Sequence, residues 1–345
     1  MRRENMTKRA LTLIFAISLF LPCLAQTKGG YKAVAAGRWH VLVLKQDGTL
    51  WGWGDNDSGQ LGDGTKIKKN KPLKILDGVI EIAGGSNLSF AIKNDGSLWG
   101  WGNNWYGWLG DGTQHNDRTR PVKIMDDVKQ ISPSQMTFAL KNDGSLWSWG
   151  DNMFGQLGDG TKTSRISPVK IMEGVRQVSA GHMHAVALKE DGSVWCWGQN
   201  SRGQLGNGTL TPSSLPIKIM EDVKQVEAGS LQTFAVKNDD SLWGWGSGDQ
   251  GAMGDGHDYD RDTPIKIMDN VRKVSSTNCS VFAIKNDGTL WVWGSNSSGQ
   301  LGDGTKNDRK TPVKIAEGVK DVATGDNFAI FLTKNGELMF TGTFK

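Results

Sequence analysis

Residues 185–198 read AVALKEDGSVWCWG, and this stretch decides the fold. An apolar run, Ala185–Leu188, meets a turn pair, Asp191-Gly192, and then a second run carrying Trp195 and Trp197. Residues at i and i+2 share one face of a strand, so the two indoles lie side by side and that face must be covered. Asp-Gly supplies the positive φ that a tight hairpin needs. The pattern recurs: Trp51, Trp99, Trp147, Trp195, Trp243 and Trp291 stand 48 residues apart, each opening W-x-W-G. A seventh, worn copy puts Met339 and Phe340 in LMFTG at the next step.

Outward from this hairpin, each repeat adds a small-residue segment before it, such as VSAGHMH, and a loop of the form NSRGQLGNGT with a P-x-K-I segment after it. Pro72, Pro121, Pro168, Pro216, Pro264 and Pro312 cannot donate to a ladder from a central strand, so P-x-K-I reads as a short outer strand. Repeat five carries Asp239-Asp240 at the turn, and Asp tolerates positive φ. Each repeat is thus an antiparallel sheet of about four strands. Sheets of this kind repeated around an axis form an all-β propeller, in which stacked blades bury the tryptophans that one sheet cannot. Seven blades are expected over residues 26–345 as a single domain. No P-x-K-I follows the seventh copy, so one blade is expected to lack a strand where the ring closes, with the termini on the same side.

The first 25 residues differ from the rest. Arg2, Arg3, Lys8 and Arg9 precede an apolar run from Ala10 to Leu21, followed by Cys23-Leu24-Ala25. That order reads as a secretory signal cleaved before Gln26, with an extracytoplasmic product: periplasmic, cell-surface or secreted. Twelve apolar residues are too few for a membrane-crossing helix, so no stable membrane insertion is expected. Lipidation at Cys23 is the alternative, although Pro22 suits it poorly. Beyond the signal, 36 basic residues face 35 acidic ones, which gives no field to favour nucleic acid. Cys196 and Cys279 fall at non-equivalent positions of different repeats and do not form a disulfide framework.

DGSLWSWG followed by GQLGDGT and P-x-K-I resembles the repeat of the regulator of chromosome condensation (RCC-one) family over Ala33 to Gly342. The resemblance implies seven blades around a channel. The family's AGxxH histidine is kept only at His40 and His184, with Leu88, Met136, Gln232, Ser280 and Phe328 elsewhere. The founding member exchanges guanine nucleotide on a nuclear GTPase, but that activity belongs to particular loops and an exported chain does not inherit it by fold.

Individual motifs carry little chemistry. Gly246–Gly251 matches GxGxxG but is the ordinary loop with Gly248 in place of Asn, and no helical pattern follows. His257–Asp262 gathers oxygen ligands suited to calcium or simply forms a solvated acidic loop, and Lys66–Lys71 reads as a solvated tip. His182 and His184 lack a third ligand with local spacing, so no metal or cofactor is expected. Asp63, Asp111, Asp159, Asp255 and Asp303 recur at one place, with Asn207 in the other copy; a residue present in nearly every blade is framework.

Subtracting what the repeats share leaves two loop sets that emerge at one end. Between the first and second strands lie Arg38, Trp39, His40, His182 and His184; between the third and fourth lie Trp105, Tyr106, Trp108, Met153, Phe154 and Arg202. Aromatic and Arg side chains on loops are what binding hot spots are made of, and equally what fills irregular packing. The reading is a non-catalytic interaction protein holding a protein partner on this face. Its alternative is a glycan-binding or polysaccharide-acting propeller; a glycosidase would need an unshared carboxylate pair, which the aromatic loops do not show.

Overall fold

A computed structural model describes residues 30–343. Seven antiparallel sheets follow one another along the chain, six of four strands and the last of three, each in simple sequential order. Blade 1 comprises Tyr31–Ala36, His40–Lys45, Leu50–Gly54 and Lys69–Leu76. Blade 7 comprises Val319–Thr324, Phe328–Thr333 and Leu338–Gly342. The first strands of all seven blades surround a central cavity of about 570 Å³, and blade 1 packs against blade 7 to close the ring. This is the seven-bladed architecture expected from the repeat, with the short blade at closure.

Each hairpin is built as its sequence requires. Gly48 takes φ +79° and Asp240, its counterpart in blade 5, takes +66°. The Asp47 carboxylate accepts from both the amide and hydroxyl of Thr49, which holds its pKa below the usual range. The same Thr49 hydroxyl accepts from the indole of Trp51, so turn and strand are locked together.

The two tryptophans of each pair do different work. The second, as in Trp101, Trp149 and Trp197, is completely buried against the preceding blade; Trp149 sits among Phe90, Leu98 and Leu109. In four of the six pairs its indole N–H donates back to a loop carbonyl of that blade: Trp101 to Gln60, Trp149 to Trp108, Trp197 to Gln156, Trp293 to Ala252. Burying about 200 Å² of indole contributes roughly 5 kcal/mol gross. The first tryptophan is only half-buried, with a lysine ammonium over its ring, as Lys45 lies 4.0 Å from the centroid of Trp51.

The inner edges of the first strands are covered without a further strand. Gln130 donates to the Val178 carbonyl and accepts from its amide, and Gln177 does the same with Val226. The Glu81 and Glu227 carboxyls accept from the amides of Ile131 and Ser276, and burial pushes both up to about 7.

Candidate functional site

The connections between third and fourth strands share one brace. In blade 2, Asn104 Oδ1 accepts from the Leu109 amide while its Nδ2 donates to Asp111 and Thr113. Asp111 in turn accepts from Thr113 and pairs with Arg118 at 2.6 Å. Asn56, Asn152 and Asn296 repeat this set with Asp63, Asp159 and Asp303, so the recurrent aspartates are framework. Each loop also leans on the next blade. A Cβ on Gly107 would stand 2.7 Å from the side chain of Ile166, leaving room for glycine alone, which also has φ +74° there.

On this rigid base the tips differ. Trp105 is 54%, Tyr106 53% and Met153 66% exposed, in blades 2 and 3, with Phe154 half-buried beside them. Trp105 meets the His115 ring edge-on at 5.0 Å, and Tyr106 meets Trp108 at 5.5 Å. The blade-2 connection is one residue longer than its neighbours, and His115 within it takes φ +57°. Blade 6 offers Ser297 and Ser298 at the same places.

The other candidates divide. Arg38 is exposed at the channel mouth and pairs with Asp326 at 2.6 Å; Trp39 beside it is half-buried; His182 is exposed at the same mouth. Arg202 bridges Asp249 and Asp260, tying blade 4 to blade 5, so its guanidinium is engaged. Trp108 is half-buried against the core of blades 2 and 3, its indole nitrogen buried without a hydrogen-bond partner. Its backbone does the work of Gln60 and Gln156, its carbonyl accepting from Trp149 and Thr137.

His40 and His184 correct the sequence reading: both are fully buried and present nothing to a partner. Each opens a second strand, which is covered on both faces by neighbouring blades. His40 Nε2 meets the Ser89 hydroxyl at 2.8 Å and His184 Nε2 meets that of Thr233 at 2.9 Å, joining adjacent blades. Burial lowers both imidazoles to about 4.

Sequence reasoning missed part of this surface. Ile67, Ile166, Leu210, Leu215 and Tyr259 are also exposed, all in or just after third-to-fourth connections of blades 1, 3, 4 and 5. Tyr259 stacks on His257, within the segment weighed for calcium. In that segment Asp258 and Asp260 pair with Lys310 and Arg202 instead, and Arg261 pairs with the framework Asp255. Among the described residues, no group of three or more His, Cys, Asp or Glu is placed to hold a metal ion. Gly246–Gly251 ends in a single three-residue turn, Asp249–Gly251, and the next element is the strand Arg261–Met268.

Repeated blades, their inter-blade indole bonds and braced loops define a class: a propeller whose loop face is free to vary. The family model for the RCC1-like domain matches residues 21–281 and 137–345, and the chain belongs to that family. Solved structures of similar fold include yeast RCC1 (Prp20) bound to Kap60, with TM-score 0.76 and 21% identity over 90% of this chain and 80% of that one. Human WBSCR16 is similar with TM-score 0.79 and 23% identity, covering 92% and 87% of the two chains. Among curated proteins, human and mouse E3 ubiquitin-protein ligase HERC2 each share 48% identity over 40 residues. That match spans 12% of this chain and 1% of those much longer proteins.

Proposed function

We propose that this protein is an exported, non-catalytic binding propeller that holds a protein partner on the loop face of blades 1 to 4. One observation carries the reading. Loops with a common hydrogen-bonded frame expose Trp105, Tyr106 and Met153 in blades 2 and 3, where blade 6 has serines. Large apolar side chains at rigid tips contribute binding energy without an ordering cost, which is how hot spots are made. RCC1-like propellers commonly mediate protein interactions; the solved yeast relative was characterised for binding Gsp1p and histones. Export rests on the amino-terminal 25 residues, which lie outside the described residues, and it argues against nucleotide exchange on a nuclear GTPase. Mass spectrometry of the mature protein should find Gln26 at the amino terminus, whereas an intact Met1 on cytoplasmic protein contradicts export.

The test of the binding face compares wild type with a Trp105→Ala/Tyr106→Ala/Met153→Ala variant, both immobilised and offered surface extracts of the host and a glycan array. Wild type should retain a protein that the variant loses, with equal melting temperatures. Retention of the same protein by both overturns the site, and binding only on the glycan array overturns the partner class.

A further inference from the structure

The fifth residue of every first strand lines the central cavity, and these positions are not alike. Blades 7, 1 and 2, consecutive around the closed ring, supply Ala323, Ala35 and Ala83. Blades 3, 4 and 6 supply Ser132, Ser179 and Ser275, and blade 5 supplies Glu227. One arc of the wall is therefore methyl and the other hydroxyl and carboxyl. We propose that this cavity binds a small organic cation, with its ammonium or guanidinium group on Glu227 and its apolar flank on the alanine arc. The site is separate from the loop tips and does not depend on what they hold.

The bonding that joins the blades does not require an acid at this place. The Ser132 and Ser179 hydroxyls each accept from the amide of the sixth strand residue in the next blade, Ala180 at 2.9 Å and Ala228 at 3.0 Å. Glu227 accepts from the corresponding amide, that of Ser276. Serine makes this brace without charge, whereas a carboxylate brings a second oxygen and a charge that is costly to bury unpaired. The Ser179 hydroxyl approaches it only to 3.5 Å. The other charged side chains of the lining are already matched, Arg38 by Asp326 and Lys273 by Asp321. His182, at the mouth, is held below its ordinary value by burial. Among the described residues Glu227 has no ion pair, so its ionised form is the one uncompensated charge of the cavity wall.

Shape and chemistry agree on the occupant. The lining runs from the first-to-second strand loops, with Arg38, His182 and Asp326 at the mouth, down to third strand residues Gln130, Gln177 and Lys273. Each of these three reaches across to the next blade, to the Val178 and Val226 carbonyls and to Asp321, and together they form a floor. The cup of about 570 Å³ lies within the range of small-molecule sites, roughly 300–1,000 Å³. An anion is disfavoured because Arg38 and Lys273 are spent on aspartates. A divalent metal ion takes about six to eight oxygens, and Glu227 offers two. A single ammonium matches one carboxylate flanked by hydroxyls through charge-assisted bonds. Burial raises the Glu227 carboxyl to about 7 against the pull of Lys273 and its two hydrogen bonds, and a cation seated on it favours the ionised form.

The probes are pentylamine, its neutral counterpart 1-pentanol and its anionic counterpart pentanoate, each titrated calorimetrically into the full chain at pH 8 and low salt. We expect saturable binding of pentylamine with a Kd of roughly millimolar order, and binding of the other two at least about 10-fold weaker. Glu227→Gln keeps an oxygen for the Ser276 amide and should weaken pentylamine about 10-fold or more. Glu227→Ser, which copies blades 3 and 4, should do the same, so that a folding defect in one variant does not decide the outcome. Ala35→Ser/Ala83→Ser should weaken it about 3-fold by wetting the apolar arc. Trp105→Ala/Tyr106→Ala should leave pentylamine binding unchanged, which separates this cavity from the loop tips. Failure of pentylamine to bind, equal binding of pentylamine and 1-pentanol, or undiminished binding in both folded Glu227 variants overturns the proposal. Tighter binding of N-acetyl-lysine methylamide than of pentylamine would assign the cation to a protein side chain and overturn the free amine as ligand.

Discussion

The third-to-fourth connections of blades 2 and 6 share a frame and differ at the tip. Asn104 and Asn296 make matching bonds to Asp111 and Asp303, and an arginine closes each loop, Arg118 and Arg309. Between those braces blade 2 presents Trp105 and Tyr106, and blade 6 presents Ser297 and Ser298. One backbone solution thus carries two surfaces. On the proposed reading, stability resides in groups that every blade repeats and recognition in those it does not, so substitutions in the two sets should have separable consequences.

The largest effect is expected in the frame. Trp149→Ala removes a fully buried indole and one of the two bonds that the Trp108 carbonyl accepts, costing about 3–5 kcal/mol in denaturant unfolding. Trp147→Ala, at the half-buried partner position, should cost roughly 1–2 kcal/mol. Equal losses would erase the distinction between the two tryptophans.

The frame should also show a pH signature made of opposing parts. His40 and His184 have folded values near 4 against 6.5 unfolded, so the unfolded chain binds more protons and stability falls as pH drops through that window. Glu81 and Glu227 have folded values near 7 against 4.5, so the folded chain binds more protons and stability falls as pH rises. Two groups of each sign nearly cancel between pH 4.5 and 6.5. A Glu81→Gln/Glu227→Gln variant should therefore gain stability with rising pH, by up to about 1.4 kcal/mol per pH unit for each histidine. A flat profile in that variant contradicts the histidine burial.

The smallest effect is expected where frame and tip meet. Trp108→Gln installs the residue found at Gln60 and Gln156, which accepts from a tip amide and donates to Asp55 or Asp151. Its stability should stay within about 1 kcal/mol of wild type. A larger loss would make Trp108 a packing residue that glutamine cannot replace.

The repeat was legible because it imposes itself six times: spacing, turn residues and outer-strand prolines all pointed to one architecture, including the short blade. What the repeat could not show was depth. Trp147 and Trp149 look alike in W-x-W, and only the stacking of the next blade decides which one is covered. His40 and His184 read as loop residues because small residues precede them, whereas the second strand begins at the histidine itself and is buried from its first residue. Tyr259, Leu210 and Leu215 escaped notice because the later half of each connection varies in every copy, so no shared pattern marks a departure there.

The separation of frame from tip is tested most directly by replacing Trp105-Tyr106 with the Ser-Ser of blade 6 and measuring affinity for the surface protein retained by wild type, together with melting. The account predicts an unchanged melting temperature and a loss of at least about 2 kcal/mol in binding, roughly 30-fold. Undiminished affinity, or a melting temperature lowered as far as that of Trp149→Ala, would contradict it.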